Sequence, residues 1–171
     1  MSSRWLTHIA ARVAWVFQEE NFDIDRIIGV ANIKETDPER LKNLAMRDFD
    51  PAFSTRVQRG DVLVGGPNFG YGHPHMPPMQ AMRLLGISAV IADSFSPAYW
   101  NSEISLGFPQ VVCPGISQSC RAGDRIRINF DALTVQLEGG EVLRITPYSE
   151  RDRQVLACGG FVAYLAQRQH T

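Results

Sequence analysis

The chain has 171 residues, with 17 lysines and arginines against 18 aspartates and glutamates and a formal net charge of −1. This length is enough for one compact domain with a sizeable core, and 44% apolar and 20% charged residues are typical of a soluble globular protein. Because there is no basic surplus to neutralise phosphates, a nucleic-acid partner is not expected. We predict a single domain over 1–171.

The sequence gives no sign of membrane insertion or export. No apolar run reaches the roughly 18 residues that a membrane-spanning helix needs. Polar and apolar residues alternate at the N-terminus as far as Phe17, and Arg4, His8 and Arg12 interrupt any signal-peptide core. We therefore expect a cytoplasmic protein with no membrane partner.

The three cysteines are Cys113, Cys120 and Cys158, and no Cys-x-x-Cys motif is present. An odd number without paired spacing argues against a disulfide framework. Iron–sulfur clusters are held by several closely spaced thiolates. We therefore expect this chain to bind no cofactor or metal by itself, and we interpret the cysteines as small buried or surface side chains.

Strands and helices are predicted to alternate through the first two thirds of the chain. The predicted strands are 12–17, 61–65, 88–92 and 110–113. The predicted helices run from Asp37-Pro38 to about 46, over 79–85 with Gly86 as the cap, and from Ser96-Pro97 to Gly107. This alternation favours right-handed βαβ units and a largely parallel sheet. The segment from 46 to 59 is interpreted as a mobile connection.

The pattern changes after Pro114. Short alternating strands are predicted at 125–129, 134–137 and 142–145, with a hairpin at Gly139-Gly140. Ser149 and Asp152 resemble a capping box for a helix that ends at Gly159-Gly160, and 161–167 forms a last amphipathic segment. The whole predicts an α/β domain with a βαβ core and a small antiparallel C-terminal part.

Three ordered segments together resemble one family. FDIDRII at 22–28 resembles I-D-T-D-x-I-I of the small subunits of 3-isopropylmalate dehydratase and homoaconitase. GDVLVGGPNFG at 60–70 is similar to their G-D-I-L-V-A-G-x-N-F-G, and GISAVIADSF at 86–95 to G-I-K-A-V-I-A-x-S-F. GGFVAY at 159–164 also fits the family's ending. The resemblance extends from about 13 to 167.

The resemblance implies the swivelling β/β/α domain of the aconitase superfamily. In that family the domain closes over a separate large subunit that carries a [4Fe–4S] cluster. The pair removes and re-adds water on a small hydroxy di- or tricarboxylate, with one iron acting as a Lewis acid on the leaving hydroxyl. By this resemblance the chain is one subunit of a hydro-lyase and inactive without the large iron–sulfur subunit.

The glycine-rich loop departs from the family at the positions that carry its chemistry. The family reads N-F-G-C-G-S-S-R-E-H-A, where the first serine is the base and the arginine binds a substrate carboxylate; here 68–78 reads NFGYGHPHMPP. By alignment, His73 replaces the catalytic serine and His75 replaces the arginine. Histidine titrates near neutrality, so we expect His73 to accept a proton. A protonated His75 replaces part of the arginine's charge without its bidentate geometry.

Substrate contacts are predicted in the same loop at Asn68, Gly70 and Gly72. Glycine permits positive φ and close backbone approach to a ligand. Pro77-Pro78 begins a helix whose N-terminal N–H groups are expected to favour a carboxylate. The alternatives are a rigid structural turn and a two-histidine metal site, which has no adjacent third ligand.

A second variable segment, NIKETD at 32–37, aligns with the family's Y-L-R-T followed by T-D. Lys34 falls on the arginine that contacts the variable arm of the substrate, and a lysine suits a charged or polar arm. The alternative is a solvated lysine on a flexible loop. Asp23 and Asp25 share a face only in a strand, so a structural or interface role is favoured for both.

Two other functions remain open at this point. The chain could be a non-catalytic assembly subunit that kept the swivel fold and lost the base. It could also be a cluster-independent enzyme that uses the loop histidines. A neighbouring gene for a large subunit with cluster-binding cysteines would argue against the second alternative.

Overall fold

The structure, a computed structural model, describes residues 8–169. Two 3₁₀ turns, Ile24–Ile27 and Val30–Asn32, precede the first helix. The strands are β1 (His8–Phe17), β2 (Val62–Gly65), β3 (Ala89–Ala92), β4 (Gln110–Val112), β5 (Arg125–Asn129), β6 (Thr134–Leu137) and β7 (Val142–Arg144). The helices are α1 (Pro38–Leu44), α2 (Phe53–Arg56), α3 (Met76–Leu84), α4 (Pro97–Ser105), α5 (Ile116–Ser119), α6 (Glu150–Ala157) and α7 (Phe161–Arg168).

The predictions that extend to the chain ends are only partly covered by the structure. The first seven residues, which belong to the segment examined for a signal peptide, lie outside the described residues. Residues 170 and 171 of the predicted domain lie outside them as well. Among residues 8–169, none of the helices is long and apolar enough to cross a membrane.

All seven strands described belong to one sheet in the order β4-β3-β2-β1-β5-β6-β7. The four strands from β4 to β1 are parallel, and β5, β6 and β7 continue the sheet antiparallel. β1 joins the parallel and antiparallel halves of the sheet, because its residues His8 to Arg12 pair with β5 and its residues Val13 to Phe17 pair with β2. The predicted βαβ core and antiparallel C-terminal part are confirmed.

The sheet curls so that its two halves pack against each other. On β2, Leu63 contributes to the cluster beneath the helices, whereas Val62 and Val64 contribute to a second cluster with Ile126 and Val135 of the antiparallel half. Adjacent residues of a strand point to opposite faces, so the parallel half is covered by helices on one side and by strands on the other. This is the predicted β/β/α arrangement.

Local capping explains several element boundaries. The Asp37 carboxylate accepts the Arg40 N–H at 2.8 Å at the start of α1, and Ser149 Oγ accepts the Asp152 N–H at 3.1 Å at the start of α6. Gly86 follows α3 with a φ of 95°. These caps are the predicted ones, because short polar side chains satisfy free N–H groups and glycine tolerates a left-handed conformation.

The prediction of a mobile connection from 46 to 59 is wrong. Met46 and Phe53 are fully buried, and the Phe49 ring lies 6.3 Å from Trp15 and 6.1 Å from Phe17. The segment contains α2 and contributes to the core beneath the helices. Its apolar residues are too irregularly spaced to show a helical or strand period, which is why the packing was not predicted.

Two helix assignments also differ from prediction. α3 begins at Met76, three residues before the predicted start, because proline is compatible with the first turn of a helix and Pro77 and Pro78 lie in that turn. The short helix α5 was not predicted.

Candidate active site

The loop 66–75 connects the carboxyl end of β2 to α3. It lies against the segment that follows β1, because the Phe22 carbonyl accepts the N–H groups of both Gly70 (3.0 Å) and Tyr71 (3.1 Å). In open α/β sheets, ligands bind outside the carboxyl ends of the parallel strands. Two motifs that are far apart in sequence therefore meet at the edge of the sheet where a ligand site is expected.

The predicted substrate-binding glycines have different environments. Gly70 is buried with a φ of 84°, and a Cβ there would lie 2.2 Å from Cγ of Tyr99 on α4. Gly72 also has a positive φ, 93°, but is exposed, and its nearest neighbour would be Asp23 Oδ2 at 3.6 Å. Gly70 thus lets the loop pack onto α4, whereas the backbone of Gly72 is accessible to a ligand.

Asn68 is held by contacts within the protein. Its backbone has a φ of 55°, its N–H donates to Ser94 Oγ at 2.8 Å, and its Nδ2 donates to Asn21 Oδ1 at 2.6 Å. The side chain therefore bridges the loop to the residues after β1. A contact between Asn68 and substrate stays a prediction.

His75 is bonded twice to Asp25. The His75 Nδ1 atom lies 2.6 Å from Asp25 Oδ2, and the His75 N–H donates to Asp25 Oδ1 at 3.3 Å. Asp25 is only 5% exposed and lies in the 3₁₀ turn Ile24–Ile27, where Asp23 accepts its N–H at 2.9 Å. A buried carboxylate needs such partners, and these contacts fix both the imidazole ring and the end of the loop.

His73 lies beside His75 but has no carboxylate of its own. The two ring centroids are 5.5 Å apart in an edge-to-face arrangement. His73 is exposed, and no hydrogen bond to it is found within residues 8–169. The structure thus brings both predicted catalytic histidines together and gives them unequal surroundings. Their catalytic roles stay predictions.

The helix after the loop offers fewer anion-binding groups than predicted. His75 is the N-cap of α3, and its side chain makes no capping bond there. Pro77 and Pro78 have no N–H, so Met76 keeps the only backbone donor among the first three residues of the helix. The expectation that several free N–H groups bind a carboxylate here is wrong for this reason.

Lys34 is exposed between the second 3₁₀ turn and α1. No ion pair or hydrogen bond of its side chain is found in the part of the chain that the structure describes. The neighbouring Glu35 pairs instead with Arg40, at 3.1 Å. The lysine is therefore available to an external anion, but the structure shows no contact between it and the loop histidines. Its role in specificity stays a prediction.

Two of the three cysteines are buried. Cys113 and Cys120 are buried, and burial raises the pKa of both thiols to about 12. A thiol reacts as its thiolate, so both side chains are expected to be unreactive near neutral pH. Within residues 8–169, no three His, Cys, Asp or Glu side chains are close enough together to hold a metal ion, so the histidine pair has no third ligand there.

Asp25 is the site residue that sequence reasoning missed. The favoured structural role is confirmed for Asp23, which caps the 3₁₀ turn. Asp25 instead reaches a histidine 50 residues away in the sequence. The sequence gave one indication of this role: Asp25 lies between the apolar residues Ile24 and Ile27, and a carboxylate that is buried with them needs a hydrogen-bond partner.

The fold is similar to a crystal structure of 3-isopropylmalate dehydratase from Methanocaldococcus jannaschii. The TM-score is 0.82 at 28% sequence identity, and the match covers 96% of both chains. The curled sheet, with its glycine-rich loop at the carboxyl edge, is therefore the swivelling domain of aconitase-type hydro-lyases, the class that the sequence resemblance predicted.

Curated relatives define the family. The isopropylmalate/citramalate isomerase small subunit of Methanocaldococcus jannaschii is 34% identical over 155 residues, which covers 90% of this chain and 92% of the relative. The 3-isopropylmalate dehydratase small subunit 1 of Methanopyrus kandleri is 35% identical, covering 87% and 88%. No protein-family model matches the sequence. The chain belongs to the family of 3-isopropylmalate dehydratase small subunits.

Proposed function

We propose that this chain is the small subunit of a hydro-lyase that dehydrates and rehydrates a small hydroxy dicarboxylate together with a large subunit. The observation that carries the proposal is the identity of 34–35% with named small subunits over nearly the whole of both chains. The names of these relatives suggest isopropylmalate and citramalate as the first substrates to test.

The [4Fe–4S] cluster is assigned to the large subunit. When bound there, the cluster would supply a Lewis acid for the leaving hydroxyl. The cysteines of this chain, Cys113, Cys120 and Cys158, support the assignment, because they form no Cys-x-x-Cys motif and such clusters are held by several closely spaced thiolates.

This chain's own contribution comes from the loop. His73 and His75 supply the groups that exchange a proton with the substrate and contact its carboxylate. The accessible backbone of Gly72 provides a place for the substrate to approach, and Asn68 holds the loop in position. Lys34, which has no partner in residues 8–169, contacts the arm by which substrates differ.

The test is anaerobic co-expression with the large subunit, followed by a screen of hydroxy acids for the ultraviolet absorbance of an unsaturated product. We expect turnover by the complex and none by this chain in isolation. We also expect the isolated chain to stay colourless after treatment with iron and sulfide. An intact complex that is inactive on every acid would favour the non-catalytic assembly subunit. Turnover by the isolated chain would favour the cluster-independent enzyme. Either result would overturn the proposal.

A further inference from the structure

We infer that His75, oriented by Asp25, is the group that exchanges the carbon-bound proton, and that His73 contacts the substrate carboxylate. This reverses the roles that alignment alone gave to the two histidines. The inference rests on the proposed function for its chemistry, but its geometric part can be tested without any substrate.

The geometry fixes one tautomer of His75. Both oxygens of the Asp25 carboxylate face His75: Oδ1 accepts its backbone N–H at 3.3 Å, and Oδ2 lies 2.6 Å from Nδ1. A carboxylate accepts hydrogen bonds, so neutral His75 carries its ring proton on Nδ1. The lone pair then lies on Nε2, at the other side of the ring. This is the arrangement in which an aspartate prepares an imidazole to act as a base.

His75 also remains accessible. Its side chain is 36% exposed, whereas the Asp25 side chain is 8% exposed. Within residues 8–169, the only hydrogen-bond partner of the His75 ring is Asp25. Nε2 therefore has no hydrogen-bond partner among these residues, on a side chain that is partly exposed. Asp25 is too buried to meet a substrate, so it is a positioning residue and not the base itself.

His73 is exposed but has no carboxylate among residues 8–169 that orients its ring. No hydrogen bond or ion pair joins its ring to a carboxylate of the described residues. Its ring lies 5.5 Å, centroid to centroid, from that of His75. A substrate carboxylate placed beside His73 would favour its protonated state. His73 therefore suits binding of the anion next to the base.

The proposed step is the elimination of water from the hydroxy acid. Nε2 of His75 takes the proton from carbon, and the electron pair of the broken C–H bond becomes the second bond of the alkene. The C–O bond breaks, and the hydroxyl leaves as hydroxide with the electron pair of the C–O bond. The imidazolium formed keeps its Nδ1–H on Asp25, whose negative charge stabilises it. Hydration is the reverse.

The first test is nitrogen NMR of the full chain labelled with ¹⁵N-histidine, at a pH where the imidazoles are neutral. The His75 signals are identified by their loss in His75→Gln. We expect the Nδ1–H tautomer in the wild type and a changed or mixed tautomer in Asp25→Asn. Asp23→Asn is the matched control, since asparagine can still cap the turn, and should leave His75 unchanged. An Nε2–H tautomer in the wild type, or no effect of Asp25→Asn, would overturn the inference.

The second test is kinetic and uses the two-subunit complex. We expect His75→Gln to lower kcat by about 10²–10⁴-fold. Asp25→Asn should lower kcat with little change in KM and an unchanged melting temperature for the complex. His73→Gln should mainly raise KM. A fall in kcat for His73→Gln together with a mainly raised KM for His75→Gln would overturn the assignment. Inactivity of the wild-type complex on every acid would instead defeat the proposed function, and the NMR result would then decide the geometric part alone.

Discussion

The backbone of Gly70 lies directly on the ring of Tyr99, so closely that a Cβ at position 70 would be 2.2 Å from Tyr99 Cγ. Tyr99 is fully buried in α4, and its ring packs edge-on against Phe69 at 5.4 Å. This contact sets the height of the glycine-rich loop above the sheet. It therefore connects the packing of the core to the position of the loop histidines.

Gly70→Ala should destabilise the protein more than Gly72→Ala. Both glycines have positive φ, so either alanine incurs about 1–2 kcal/mol of left-handed strain. Only the alanine at 70 also meets Tyr99, which adds about 1–3 kcal/mol of overpacking. Urea unfolding of the two variants measures the difference. Equal free energies of unfolding would contradict the close contact.

The ion pair between the partly exposed Arg83 and the buried Glu103 predicts a pH-dependent loss of stability when the arginine is removed. The Arg83 Nη1 and Glu103 Oε2 atoms are 2.5 Å apart, and burial raises the pKa of Glu103. Arg83→Met leaves that carboxylate unpaired, at a cost of about 3–5 kcal/mol at pH 8. Without the arginine, the folded-state pKa of Glu103 rises further above its unfolded value of about 4.3, so the cost shrinks as pH falls from 8 to 5.

Thermal unfolding at the two pH values provides the measurement. The matched control is Arg40→Met, which removes an exposed ion pair with Glu35 and should change stability little at either pH, because exposed pairs contribute little. A loss for Arg83→Met that is equal at pH 5 and pH 8 would show that the Glu103 charge is not the cause.

The cysteines should differ sharply in reactivity. Burial raises the thiol pKa of Cys113 and Cys120 to about 12, whereas Cys158 is partly exposed at the C-cap of α6. A thiol reacts as its thiolate, so Ellman's reagent should titrate one thiol in the native chain and all three in denaturant. The variant Cys158→Ser should then show none before unfolding. Two or more fast thiols in the native protein would contradict the burial.

Lys34 is predicted to affect substrate choice and not the chemical step. In the complex, Lys34→Ala should raise KM for the native substrate with kcat nearly unchanged, which is the sign of lost uniform binding. Lys42→Ala is the control, because Lys42 is a partly exposed lysine on α1 that pairs with Glu39, and it should leave both constants unchanged. A fall in kcat with KM unmoved would show that Lys34 does not contact the variable arm.

Local patterns predicted much of this fold. Asp37, Gly86 and Ser149 mark helix ends through bonds to their near neighbours, so the sequence contains all the partners. The alternation of strands and helices likewise predicted the parallel half of the sheet.

Contacts between distant residues were less accessible to prediction. Phe53 becomes a core residue only because the sheet brings Trp15 beside it, with ring centroids 6.3 Å apart. The bond between Asp25 and His75 depends on how a 3₁₀ turn meets the end of a loop 50 residues later. The sequence showed two candidate histidines, and only the folded chain distinguishes them.

Titration of the purified large subunit with this chain, under anaerobic conditions, measures whether the chain completes the active site of a partner. Turnover of the hydroxy acid identified in the screen should be absent without this chain. It should then rise linearly and reach a plateau at one copy per large subunit. If the large subunit alone gives the same turnover, and addition of this chain does not change it, then this chain does not complete the active site.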